Sequence, residues 1–462
     1  LLEKQQETKV NTTDHGDSLA QGIDSARFAS GEHLVHAGGR LIEIYHRITW
    51  RLMPILLVAQ VLAYLDRLNV GYAKLQMAGQ LGLSETVYGL GAGLFFIGYF
   101  VFEVPSNLML HRVGARIWIA RIMVTWGIAS AAAALVHSET TFYLQRLLLG
   151  MAEAGFFPGI VLYLTYWFPA HRRGRTTTLF MSATAVAGIF GNVLSGWIML
   201  HFDGVGTLAG WRWTFIVEGV PSILAGFAIH AWLPNGPAHA RWLAPDEVQA
   251  VRDDLASPEP GAPGKQAPAS RLRAHEIALL STIYCLLLTG LYGIGFWLPT
   301  LVRGTGLADL SRIGLYGAVP YIVAVVAMNL CARQADRRAA WPTYVTGGAL
   351  VSCVGFAAIG LCNGDLMFVM TGASLSCAGT LTALPLFWHL PTARLAGASA
   401  AAGIAVINSL GNLSGFVTPL AFGWLKERLH DVTAGVSILA ISALLAALLT
   451  LVYLALAKRA YH

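Results

Sequence analysis

Long apolar blocks alternate with short polar breaks along the whole chain. Blocks near 50–72, 87–110, 116–136, 142–168, 175–200 and 212–233 are each long enough to cross a bilayer as a helix. A polar stretch rich in Pro and Gly, 235–274, interrupts the series and contains PEPGAPGKQAP. Six further blocks lie near 275–301, 311–333, 341–361, 366–388, 396–424 and 433–457. The pattern predicts an all-α membrane protein with twelve transmembrane helices in two six-helix bundles, 46–234 and 275–462. Residues 1–45 are polar and mixed in charge, which predicts a disordered tail and no cleavable signal peptide. Within the linker, 246–255 carries its charge on one side, as a short surface helix would, and 258–268 reads as spacer.

Composition agrees with that pattern. Of 462 residues, 55% are hydrophobic and 12% charged, with a mean hydropathy of +0.58. A soluble domain carries about twice that charged fraction. The net charge of +6 does not gather on one face or tail, so nucleic acid is not implied. Instead the basic residues cluster in alternate loops: Arg112 and Arg116, then Arg172, Arg173 and Arg175, then Arg333, Arg337 and Arg338. That is the positive-inside pattern, with both termini cytoplasmic. Lys426 and Arg428 are the exception, offset by Glu427 and Asp431. The five cysteines lie in or beside apolar blocks of the second half without metal-ligand spacing, so they read as small buried hydrophobes.

The halves echo one another. Gly191-Asn192-Val193-Leu194-Ser195-Gly196 in the fifth span returns as Gly411-Asn412-Leu413-Ser414-Gly415 in the eleventh. His111-Arg112 after the second span corresponds to Asp336-Arg337 after the eighth. Repeated helical halves around a midplane site are a transporter pattern.

Ionisable residues inside apolar blocks are the candidate chemistry, because each costs roughly 2.5–3.5 kcal/mol on insertion. Asp66 and Arg67 are adjacent in the first span, and Arg146 and Glu153 share the fourth. Arg67 and Arg146 are the anion candidates, since a guanidinium fork matches a carboxylate in two parallel hydrogen bonds. Tyr64 precedes Arg67 by one helical turn on the same face. Asp66 and Glu153 are the proton candidates. Neighbours on a helix point about 100° apart, so Asp66 and Arg67 cannot address the same place. For each of these charges a plain structural ion pair stays open. Glu103 and Glu218 read as structural, and so does His389 near a helix end. The second half offers polar and aromatic groups instead: Tyr292, Trp297, Trp388, Asn408 and Asn412. For Asn412, and for its counterpart Asn192, a hydrogen bond to a neighbouring helix is the simpler role. Glycines such as Gly89, Gly93, Gly188 and Gly191 suit close helix approach. No phosphate loop, zinc motif or nucleophile elbow occurs, so neither an enzyme nor a cofactor or metal is expected.

Five stretches carry a family resemblance over about residues 48–458: 64–71 (YLDRLNVG), 98–107 (GYFVFEVPSN), 146–158 (RLLLGMAEAGFFP), 163–168 (YLTYWF) and 405–416 (AVINSLGNLSGF), together with GFWLPT at 295–300. The chain resembles the major facilitator superfamily and, within it, the anion:cation symporters of bacterial organic acids, tartrate-type members in particular. The resemblance implies two bundles rocking about a central site, protonation at Asp66 and Glu153, and a cavity-facing Tyr99. It also implies a latch at the loops carrying Arg112, Arg116, Asp336 and Arg337. That loop departs from the superfamily pattern after the second span, where Asn107 replaces a Gly and His111 an Asp. His111 leaves open a pH-sensitive latch or an ordinary loop histidine.

The sequence therefore suggests a proton-coupled symporter of the bacterial inner membrane, functional as a monomer. Its cargo would be a small hydroxylated carboxylate such as tartrate or a sugar acid. Tyr64, Arg67, Tyr99, Arg146, Tyr292, Trp388 and Asn408 would bind it. An anion exchanger, a carrier of aromatic carboxylates and a non-transporting membrane sensor are the alternatives.

Overall fold

The computed structural model describes residues 7–256, 274–338, 340–361, 364–392 and 398–459. Side chains are described from Gly39 onward, except at 170–171, 173–175, 177–178, 336, 398–402 and 457–459. The spacer 258–268 and Cys362 lie outside the described residues.

Twelve helices among the described residues are long and apolar enough to cross a membrane. They are Gly39–Leu81, Glu85–Val113, Ala115–Leu135, Glu139–Thr165, Leu179–His201 and Gly210–Trp232 in the first half. Ala274–Gly304, Leu310–Ala335, Trp341–Leu361, Leu366–Thr392, Gly403–Leu429 and Val432–Leu456 form the second. Helix is the expected state because hydrocarbon offers no partner to a free backbone N–H. Short breaks carry the caps: Ser84 accepts from the Val87 N–H, Ser138 and Thr141 form a capping box, and Asp365 accepts from two N–H groups. The N-terminal stretch expected to be disordered is helical from Glu7 and continuous with the first span to Leu81. No proline precedes Pro54, so nothing upstream removes a helical donor.

Three spans are broken among the described residues, the tenth at Trp388 between Leu366–Phe387 and His389–Thr392. The fourth stops after Glu153; Ala154 is extended, Gly155 takes φ 84°, and a second helix runs Phe156–Thr165. Gly155 is required twice over, by its left-handed backbone and because Ser106 Oγ occupies the place of a Cβ. The eleventh is divided at Leu413 into Ala398–Asn412 and Ser414–Leu429.

The halves meet through the first and seventh, second and eleventh, and fifth and eighth spans. Glycines set the closeness: Gly89 lies on the Pro419 carbonyl, Gly93 on Phe416, Gly196 on the Leu310 carbonyl and Gly314 on the Asn192 carbonyl. With twelve spans, the first begins and the last ends on one face, here the terminal face. The opposite, distal face is zipped across the halves. Glu85 bonds Lys74 through one oxygen and Lys426 through the other, both at 2.5 Å. The Lys74 ammonium also sits 3.8 Å from the Trp297 ring centroid. Glu427 accepts from Ser84 Oγ at 2.8 Å and the Thr86 N–H at 2.7 Å. At the terminal face Arg112 and Arg337 are exposed, and Arg116 donates to the His230 carbonyl within its own bundle. The Asp336 side chain lies outside the described residues.

The echo between halves is a repeated contact. Tyr72 OH donates to Asn192 Oδ1 at 2.7 Å, and Tyr292 OH donates to Asn412 Oδ1 at 3.0 Å. In both pairs the partners are 120 residues apart. A surface helix, Pro245–Ala256, is clasped to the terminal face of the first bundle. Asp246 pairs with Arg40, Glu247 with Arg47, and Asp254 accepts from Tyr45 OH at 2.8 Å. Val251 is fully buried beneath it.

Candidate substrate cavity between the bundles

A cavity of about 120 Å³ lies between the two halves. The first half lines it with Gln60, Tyr64, Arg67, Phe96, Tyr99, Phe157, Met181, Thr184 and Ala185. The second contributes Tyr284, Leu288, Leu291, Tyr292, Met328, Leu381, Leu384, Pro385, Asn408 and Asn412. Arg67 is the cation of this wall. Its NH2 and Nε both donate to Glu153 Oε1, at 2.5 and 2.9 Å, and its guanidinium carbon lies 5.2 Å from the Tyr99 ring centroid. Glu153 is fully buried, and its Oε2 has no hydrogen-bond partner among the described residues.

Asp66 points the other way, as the helical step between neighbours requires. It is 1% exposed inside the first bundle. Trp126 Nε1 donates to it at 2.6 Å, Ser130 Oγ at 2.5 Å and Asn69 Nδ2 at 3.2 Å. Nearby, Glu218 accepts from Ser195 Oγ at 2.7 Å, and its Oε2 has no hydrogen-bond partner among the described residues.

Two expected binding residues do not line the cavity. Arg146 is fully buried, with its guanidinium carbon 5.1 Å from the Phe95 ring centroid. That ring also lies 5.4 Å from the Arg67 guanidinium carbon. Helical spacing puts Arg146 and Glu153 on one face, but the helix ends at Glu153 and the acid turns to Arg67. No guanidinium nitrogen of Arg146 has a hydrogen-bond partner among the described residues. Trp388 packs behind the wall against Tyr284, centroids 4.9 Å apart. Tyr64, Arg67, Tyr99, Tyr292 and Asn408 are brought together as expected.

The match to known proteins follows the same architecture. Residues 56–419 match the Major Facilitator Superfamily. The chain belongs to that superfamily. A relative from Agrobacterium vitis named "Putative tartrate transporter" is 42% identical over 414 residues, 88% of this chain and 91% of its own. "Putative metabolite transport protein NicT" of Pseudomonas putida is 42% identical over 383 residues, 82% and 87% of the two chains. Among solved structures, the xylose transporter XylE from E. coli, in a partially occluded inward open conformation, superimposes with a TM-score of 0.67. That likeness covers 86% of this chain and 96% of the other at 15% identity, and it speaks for the fold. This superfamily member is a multi-pass membrane transporter, not an enzyme.

Several contacts of this facilitator were not singled out from its sequence. Glu103, read as structural, reaches across the halves: Asn408 Nδ2 and Ser409 Oγ each lie 3.4 Å from its carboxylate oxygens. Gln60 and Thr184 add a polar edge, with Gln60 Nε2 3.5 Å from Thr184 Oγ1. Tyr284 had a usable signal, since it stands to Tyr64 as Tyr292 stands to Tyr72 in the repeat.

Proposed function

We propose that this transporter is a proton-coupled symporter importing a small organic anion, a hydroxylated carboxylate of the tartrate or sugar-acid type. The observation that carries the reading is the Arg67–Glu153 pair on the cavity wall. An incoming carboxylate competes with Glu153 for the guanidinium fork. Once displaced, the buried Glu153 carboxylate has lost its counter-charge, and taking up a proton removes that cost. Substrate and proton then enter together, and neither state leaves Arg67 or Glu153 as a bare charge in the low-dielectric interior. Asp66 serves as a second protonation site inside the first bundle, felt through Trp126 and Ser130 rather than by contact with the substrate.

Tyr64, Tyr99, Tyr292 and Asn408 supply hydroxyl and amide partners suited to a hydroxy acid, and the modest cavity favours a compact one. Arg146 acts on the site electrostatically from behind Phe95. The name of the 42% identical tartrate relative from Agrobacterium vitis fits this substrate class. The loop charges support an orientation with both termini cytoplasmic, and the bacterial relatives support an inner membrane; on this reading the zippered distal face is the outer one. The test is uptake of labelled tartrate and a panel of sugar acids into proteoliposomes, with and without an inward proton gradient. Accumulation that requires the gradient and collapses with a protonophore is expected. Uptake driven only by preloaded anion would replace symport with exchange. A second reading draws on the ring-rich wall of Tyr64, Phe96, Tyr99, Phe157, Tyr284 and Tyr292, which also suits an aromatic carboxylate. Competition by benzoate-like acids in the same assay separates the two.

A further inference from the structure

A second and larger groove lies at the terminal face of the first bundle, away from the transport cavity. Its volume is about 1200 Å³. Arg51 at the start of the first span, Arg116 at the start of the third, Arg241 just before the surface helix and Arg252 on it all line it. No Asp or Glu does. The segregation has a structural cause. Asp246, Glu247 and Asp254 of the clasp turn to Arg40, Arg47 and Tyr45, which leaves Arg241 and Arg252 facing the groove. Arg51, Arg241 and Arg252 are exposed, and none forms an ion pair among the described residues. Arg51 is held at the wall by Trp242, 5.0 Å from guanidinium carbon to ring centroid. Trp242 in turn stacks on the buried Trp167 at 6.0 Å.

The depth of the groove is equally informative. It sits where the first and third spans begin and the sixth ends, at the level of lipid headgroups. Trp50 and Trp232, 68% and 78% exposed, mark that level as interfacial tryptophans do. Converging guanidinium groups without a protein counter-ion match a phosphate oxyanion. A basic pocket open to the headgroup layer matches a phosphate that arrives on a lipid.

We infer that this groove is a binding site for the phosphate headgroup of an anionic phospholipid in the leaflet on the terminal side. The bound lipid bridges the bundle and the surface helix, adding to the clasp pairs and the buried Val251.

The test uses the purified full chain in detergent, read by native mass spectrometry and thermal unfolding. Phosphatidylglycerol is expected to form a one-to-one adduct and raise the Tm, and phosphatidylcholine of the same chain length is not. The combined variant Arg51→Gln, Arg241→Gln, Arg252→Gln should weaken adduct formation at least tenfold with an unchanged lipid-free Tm. If that variant folds poorly, the exposed single change Arg252→Gln should still lower adduct occupancy severalfold. Equal adducts with both lipids, or a variant that binds as wild type, would overturn the assignment. So would glycerol 3-phosphate or inorganic phosphate displacing the lipid at equal concentration, which would mark a soluble-phosphate site.

Discussion

The two oxygens of Glu153 are in unequal positions: one takes two hydrogen bonds from Arg67 and the other none among the described residues. Glu153→Gln keeps the size and an acceptor but cannot take up a proton. Proteoliposomes carrying it should lose gradient-driven accumulation while retaining counterflow of labelled substrate; accumulation that persists would remove Glu153 from the coupling. Arg67→Lys keeps the charge but loses the planar fork. Losing one charge-assisted hydrogen bond costs about 1.5–3 kcal/mol, so apparent affinity should fall roughly 10- to 100-fold. Titrating uptake against substrate concentration measures it. The divergence of Asp66 and Arg67 could be read from the sequence because adjacent helical positions must differ in direction. The partner of Glu153 could not. Spacing says which residues share a face of one helix, whereas Arg67 reaches Glu153 from a different helix, a matter of packing.

Among elements, the distal zipper is the clearest candidate for a moving part. Glu85 is the common partner of Lys74 and Lys426, one from each half. Glu85→Gln leaves Lys74 against Tyr88 and Trp297 with only a neutral acceptor. Glu85 is partly exposed, so the expected loss is on the order of 1–3 kcal/mol of closure. Spin labels at positions 82 and 430 should then report longer distances between the distal loops. An unchanged distribution would mean that glycine-mediated packing alone closes this face. The clasp of Pro245–Ala256 responds to acid. The hydrogen bond from Arg40 holds the Asp246 carboxyl below its usual range, and the Ala244 N–H does so first for Glu247, with Arg47 adding to it. Groups depressed in the folded state stabilise above their unfolded pKa and lose that contribution as pH falls through the folded value. Amide protection factors in 245–256, taken relative to the intrinsic exchange rate at each pH, should therefore stay high at neutral pH and fall below about pH 4. A flat profile would shift the docking to buried Val251.

At the scale of the molecule, the twelve spans were legible because hydrocarbon imposes length and apolarity on every crossing segment. The Gly-Asn echo also pointed to related halves. Its partners Tyr72 and Tyr292 had no local signature, being 120 residues away in each case. The breaks at Ala154 and Leu413 were hidden because each lies inside a segment long enough to read as one continuous span, although Glu153 and Gly155 flank the first and Asn412 and Ser414 the second. The repeated Tyr–Asn contact allows a matched comparison. Hydrogen bonds between helices in membranes contribute about 0.6 kcal/mol on average and at most about 1.7. Tyr72→Phe and Tyr292→Phe should thus lower thermal stability by similar, small amounts. Only Tyr292→Phe should also alter transport, since Tyr292 lines the cavity and Tyr72 does not. Equal effects of both on uptake would place the sensitivity in the scaffold.

The cavity also divides its chemistry by origin. Its lining carboxylate partner and guanidinium belong to the first half, and the second half contributes only tyrosine, asparagine and apolar groups. A lineage built on this plan can change its diet cheaply. On the proposed mechanism, mutations confined to the second half would reshape which cargo fits, with the Arg67–Glu153 pair inherited untouched.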